Sequence, residues 1–273
     1  MKSQKGLTLM LSVLAVTSLS GCGNVSGHGG DLEAIVKTKT LVVGTNAEYA
    51  PFEYLKGAST EVYGYDMDVV SLIKEEIECQ YDIDLKVVVK DMAFDGLIGS
   101  MNANQIDFIA AAFSKNDERA KSVLFSDIYY QAETVLVVKE GNNSITDYAS
   151  LAGLAIGAQL GTVQVDFASE AVTSSGSVKP LGSIATLLSD LSVGNIDALM
   201  VEKPVAQNII AKSSGYKIID NIAFPDDDGY AFASNYNIGE DLINLINGVI
   251  TVNKENGVLD GLFVDALNES LGN

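Results

Sequence analysis

The chain has 273 residues, 47% of them hydrophobic, with 36 acidic and 17 basic side chains, one histidine and a formal charge of −19. Such acidity repels nucleic acid and anionic lipid, so no nucleic-acid partner is expected. A single histidine also leaves little scope for histidine general-base chemistry, and two cysteines make at most one disulfide.

The chain opens with Lys2 and Lys5, then the uncharged run LTLMLSVLAVTSL. A basic start, a short apolar core and small residues after it describe a secretory leader over residues 1–21. The run is too short to span a bilayer, and it lacks the polar face of a core helix. Leu19-Ser20-Gly21-Cys22 then resembles the bacterial lipobox, which implies cleavage before Cys22 and lipidation of its thiol. Two acyl chains on one cysteine anchor a protein stably. The sequence SGHGG closes a segment too small and polar to pack, so residues 22–30 read as a lipidated tether and His28 as a linker residue. Cys79 is then the one free thiol, expected as a small buried side chain.

The remaining chain is long enough for two lobes. LEAIVKTK reads as a short helix, and TLVVGTN as a buried strand ending in a turn. DMDVVSLIKEEIE carries Val69, Val70, Ile73 and Ile77 at helical spacing. DLKVVVK is a strand, FDGLIGSMNANQ a helix and IDFIAAAF a second buried strand. The rhythm returns in GLAIGAQLGT (strand and turn), VQVDFASEAVTSS (helix), SIATLLSDLSVGN (helix closed by Gly194) and IDALMVEK (strand). Alternating strands and helices predict parallel-type α/β sheets. QID and NID precede a buried strand in the two halves, which hints at two similarly built units. Residues 129–141 and 216–233 read as long extended segments between them, and DLINLINGVITVNKENG as an amphipathic helix stopped at Gly257.

Metalloprotease, hydrolase, Walker and dinucleotide motifs are absent, and PDDDG lacks the alternating spacing of a calcium loop, so no metal or cofactor is expected. What remains is polar groups at strand ends, where parallel sheets bind ligands. Four such ends are GTNAEYAPF, AAAFSKNDERA, GAQLGTVQ and LMVEKP. These four in this order, and LVVGTNAEYAPFEY with VYGYDMDVV, MAFDGLIGSMNANQIDFIAAAFSKNDERAKSVLFSDIYY and LAGLAIGAQLGTVQVDFA in wording and spacing, resemble the family 3 solute-binding proteins of bacterial amino-acid ABC transporters, over roughly residues 32–268.

The resemblance implies a two-lobe periplasmic-binding-protein-like fold with a two-strand hinge, lobe 1 being 31–131 plus 225–273 and lobe 2 being 132–224. It implies that Arg119 clamps a ligand carboxylate through a bidentate pair, with help from Ser114 and from backbone N–H groups near Thr162. It gives the ammonium to the Ala112 carbonyl and to Glu202, which stands where aspartate is usual and adds a methylene. Tyr49 and Phe94 match aromatics that sandwich the ligand side chain. Read without the resemblance, Arg119 is a surface ion-pair residue, Tyr49, Phe52 and Phe94 are core, and Glu202 is a solvated strand end.

The implied protein is a monomeric, extracytoplasmic, lipid-anchored amino-acid receptor serving an ABC permease. Its rivals are a dehydratase-like enzyme on the same fold and a stand-alone sensor. Retention of an arginine clamp and an ammonium-pairing acid argues against the enzyme. Asn46 and Gln159 are placed for the ligand's far end. Both are neutral amides, which favours a neutral polar amino acid first and a basic one second.

Overall fold

The computed structural model describes residues 25–173, 175–225 and 229–272. The leader and Cys22 lie outside the described residues. Helix α1 (Leu32–Thr38) starts at Asp31, whose carboxylate accepts the Ala34 N–H, and leads into β1 (Thr40–Thr45). Three short strands, β2 (Glu48–Tyr49), β3 (Glu53–Leu55) and β4 (Val62–Tyr63), form a small antiparallel meander. Helix α2 (Tyr65–Tyr81) buries Val69, Val70, Ile73 and Ile77, the stripe that the 3.6-residue period dictates. Then come β5 (Lys86–Asp91), α3 (Leu97–Asn102), β6 (Phe108–Ile109) and β7 (Val123–Phe125).

The second lobe holds β8 (Glu133–Lys139), β9 (Ala155–Gln159), α4 (Val163–Ala171), β10 (Ser177–Leu181), α5 (Ile184–Val193), β11 (Ala198–Glu202), α6 (Lys203–Lys212) and β12 (Tyr216–Pro225). Helix α5 is capped by the Ser183 hydroxyl and ends at Gly194, whose φ of 81° suits glycine. The chain closes with β13 (Ala233–Asn235), α7 (Glu240–Glu255) and α8 (Val258–Leu271).

One sheet has the order β5-β1-β6-β13-β7 and the other β10-β9-β11-β8-β12. Four strands of each run in one direction, but β13 and β8 run against their neighbours. The sheets are therefore mixed rather than parallel throughout. The reason is topological: a parallel neighbour needs a crossover connection, and β8 and β13 are the strands entered directly from the other lobe. The segments expected to lie between the lobes are mostly strand within the second sheet. Only their ends cross, side by side, where Glu133 pairs with Pro225 and Tyr130 with Tyr230.

The repeated I-D step does the same work twice. The Asp107 N–H donates to the Val42 carbonyl at 2.6 Å while its carboxylate accepts the Val42 N–H at 2.7 Å. Asp197 does likewise with Ala155, at 2.7 and 2.8 Å. Each clamp ties the loop before a central strand to the start of its neighbour.

Two expectations need correction. Residues 27–30 are packed rather than free: the Gly27 N–H donates to the Gln105 carbonyl at 2.9 Å, and the N–H groups of His28 and Gly30 donate to the Asp107 carboxylate. His28 also meets Thr38 Oγ1 at 3.1 Å through Nε2. The glycines allow this docking, since Gly29 and Gly30 both have positive φ and closely approach Asn104 and Ser234. Cys79 is exposed, not buried, because it falls on the outer side of the α2 stripe. Among the described residues no helix is long and apolar enough to cross a membrane.

Candidate functional site

The carboxyl ends of β9 and β11, and the chain just beyond β1 and β6, meet between the two sheets around one enclosed cavity. Asn46, Tyr49, Phe94, Ala112, Ser114, Arg119, Gln159, Thr162 and Glu202, the whole expected set, line it. All are buried except Thr162, which is half-buried. The readings of Arg119 as a surface ion-pair residue and of Glu202 as a solvated strand end therefore fail.

Arg119 stands on a short helical turn after Asn116, whose side chain accepts the Arg119 N–H at 2.8 Å. Its guanidinium lies 4.2 Å over the Phe113 ring and 5.5 Å from that of Phe94. From there Nη1 donates to the Ser114 carbonyl and Nη2 to the Gly161 carbonyl, 2.7 Å away in the other lobe. The aromatic faces hold the cation in place, and its two Nη atoms bridge backbone carbonyls of the two lobes. Gly161 has φ of 85° and packs on Asp95, so the turn into α4 takes a shape and a closeness that suit glycine. Thr162 stands at the N-cap position of that helix without a side-chain capping bond, and its hydroxyl donates back to the Gln159 carbonyl at 2.8 Å.

At the opposite side, Tyr49 donates its hydroxyl to Glu202 Oε2 across the cleft, and Gln164 donates to Glu202 Oε1. Gln164 also meets Thr134 Oγ1 at 3.0 Å. The longer acid reaches these partners from the end of β11. Asn46 is held by its own donation to the Met92 carbonyl at 2.9 Å and accepts from Gln159 at 2.8 Å. With the lobes meeting in this way, the space left is only about 10 Å³, enough for roughly one water. An amino acid enters only when the contacts between the lobes part.

Glu53, Ala111 and Gln164 also line the cavity and were missed from sequence. Gln164 closes the quoted segment GAQLGTVQ, and its place in the first turn of α4 was the available signal. Glu53 sits between Phe52 and Tyr54, and an acid in an apolar strand was the clue to a buried polar role. Behind the cavity lies Asp66, fully buried at the start of α2. It accepts from the Ala112 N–H at 2.9 Å and the Tyr129 hydroxyl at 2.8 Å, and Ala112 takes a left-handed φ of 44°. Burial pushes the Asp66 carboxyl up to about 7 and raises Glu53 well above the usual range. At the cleft rim, burial also raises Glu48, opposed by the Ile184 N–H that it accepts. Among the described residues no group of three His, Cys, Asp or Glu side chains is placed to hold a metal ion.

Among the described residues Arg119 is the one cation lining the cavity, with Glu53 and Glu202 as the acids, a charge pattern suited to a zwitterion. Residues 41–268 match the bacterial extracellular solute-binding proteins, family 3. The arginine-binding extracellular protein ArtP of Bacillus subtilis (strain 168) is 28% identical over 263 residues, 95% of this chain and 96% of that protein. A crystal structure of an amino acid ABC transporter substrate-binding protein from Streptococcus pneumoniae, bound to L-arginine, superposes with a TM-score of 0.79 at 28% identity, covering 88% of this chain and 98% of that one. An ancestral amino-acid-binding protein described as a precursor of cyclohexadienyl dehydratase superposes with a TM-score of 0.76 at 25% identity, covering 86% and 99%. With a match across most of its length, a two-lobed fold and a charged cleft between the lobes, this chain belongs to the bacterial extracellular solute-binding proteins, family 3.

Proposed function

We propose that this chain is a lipid-anchored, monomeric receptor that closes two lobes around an amino acid and delivers it to an ABC permease. The observation that carries the reading is the convergence of Arg119 and Glu202, from different lobes, on one enclosed cavity. Arg119 takes the carboxylate and Glu202, held by Tyr49 and Gln164, takes the ammonium. A ligand touching both lobes stabilises the closed form by its differential affinity for it. The hinge is the paired crossing at 130–133 and 225–230, between lobes divided as 31–131 with 225–273 and 132–224. Cys22 carries the anchor.

For the ligand side chain we favour a basic amino acid over a neutral polar one, reversing the order that Asn46 and Gln159 alone suggest. Arg119 and Glu202 balance the zwitterion. Glu48, Asp91 and Asp95 then lie near the cleft: Glu48 contacts Ile184, Asp91 accepts the Ala47 N–H at 2.9 Å, and Asp95 abuts Gly161. That excess of acid favours a cationic side chain. The arginine named for ArtP and bound in the pneumococcal protein supports the same order.

A dehydratase reading ranks lower, because the groups expected to clamp a zwitterion are all retained at the cavity. Calorimetric titration of the mature protein with each of the twenty amino acids tests the proposal. Binding of L-arginine with submillimolar affinity is expected, and turnover of a cyclohexadienyl acid with no amino-acid binding would overturn it.

A further inference from the structure

Glu53 and Asp66 have no part in the binding scheme above. Glu53 comes from β3 and is 1% exposed; its carboxyl lines the cavity, and Oε2 is buried with no hydrogen-bond partner. The carboxyl is in hydrogen-bond contact with that of Asp66, itself wholly buried. Two carboxylates are acceptors only, so a hydrogen bond between them requires a proton.

The Asp66 oxygens already accept from Ala112 and Tyr129. These bonds favour charge on Asp66 and leave the proton on Glu53, the member of the pair that lines the cavity.

We propose that Glu53 and Asp66 hold one proton between them, and that the ammonium of an amino acid entering the cavity expels it to solvent. Glu53 then faces the ligand as a second carboxylate beside Glu202. The step is a simple ionisation: the Glu53 O–H bond breaks, its electron pair stays on the carboxylate and the buffer takes the proton.

The surroundings decide the direction. Asp68 from α2, Asp91 at the end of β5, and Tyr65 and Tyr129 surround the pair. Tyr49, Arg119 and Glu202 share the cavity with Glu53. Arg119 is the cation of this group, and the ligand carboxylate neutralises it. The ammonium, bound beside Ala112, is the nearer of the two new charges, because the Ala112 N–H lies 2.9 Å from Asp66. A positive charge there competes with the proton for the same carboxylates.

The inference rests on the amino-acid-binding reading, and its test separates the two. The mature wild-type protein is titrated with L-arginine and with L-glutamine by calorimetry, in two buffers of different ionisation enthalpy, from about pH 5.5 to 8.5. Up to one proton is released per ligand bound, and affinity rises with pH by at most about tenfold per unit. Glu53→Gln binds with no such release, and Tyr129→Phe moves the release profile to higher pH. Equal heats in both buffers across the range, or undiminished release by Glu53→Gln, would overturn the proposal while leaving amino-acid binding intact. Should that variant not fold, the wild-type heats decide alone. Failure of both amino acids to bind removes the binding reading for them, and the coupling with it.

Discussion

Gln159 donates from Nε2 to the Asn46 side-chain oxygen at 2.8 Å, joining the end of β9 in one lobe to the end of β1 in the other. The same two amides are placed to meet the far end of a ligand. Replacing Asn46 by aspartate keeps the acceptor and adds a charge. The ratio of arginine to glutamine affinity is expected to rise about tenfold, roughly 1.4 kcal/mol. Competition binding on the variant checks this, and an unchanged ratio would move the side-chain subsite away from Asn46.

The paired aspartate clamps differ in burial and in load. Asp107 is buried and accepts from Val42, His28 and Gly30, while Asp197 is exposed and accepts from Ala155. Asp107→Ala leaves buried donors unpaired, at a cost of about 1–3 kcal/mol or more, whereas Asp197→Ala costs about 0.5–1.5 kcal/mol. Denaturant midpoints measure both. Equal losses would mean that Asp107 does not hold the N-terminal segment as described.

The buried acid pair makes stability depend on pH in a stated direction. In the folded protein Asp66 is raised from 3.8 to about 7, and Glu53 is raised above 4.5, each first by burial. Between those limits the folded state binds more protons than the unfolded one, so stability falls as pH rises. The contribution is complete below about pH 4 and is lost as pH climbs through about 7. Glu53→Gln cannot ionise and relieves part of this loss. Its stability relative to wild type therefore improves between about pH 5 and pH 8 in chemical denaturation of ligand-free protein. A difference independent of pH would contradict the buried pair.

Lipidation at Cys22 predicts that the protein partitions into the detergent phase when expressed with its leader. Cys22→Ser is expected to give either an uncleaved precursor or a released protein. Unchanged partitioning of a processed variant would remove the anchor.

Much of the site was legible because its residues cluster in short segments at strand ends. Arg119, Ser114, Thr162 and Glu202 each follow a strand or a tight turn, where side chains are fixed by the backbone that precedes them. Glu53 was harder, since its role depends on contact with Asp66, thirteen residues further along the chain. Helix α6 was not read from the sequence, and Pro204 falls in its first turn, where proline is tolerated. Helix α8 was passed over because Gly257 reads as a stop, yet it both ends one helix and starts the next. The packing of residues 27–30 was invisible for a different reason: the partner is backbone at Gln105 and a carboxylate at Asp107, and glycine-rich composition alone says only that the chain can bend.

The most direct measurement is calorimetric titration of L-arginine into wild-type protein and Arg119→Ala side by side. Losing the guanidinium from a desolvated charge pair costs roughly 2–5 kcal/mol, about 30-fold to several-thousand-fold in affinity. Wild type is expected to bind one L-arginine per chain, and the variant to bind at least about 30-fold more weakly while its ligand-free unfolding midpoint changes little. Equal affinity in the two proteins would contradict the account, because the carboxylate would then be held somewhere other than the cavity between the lobes.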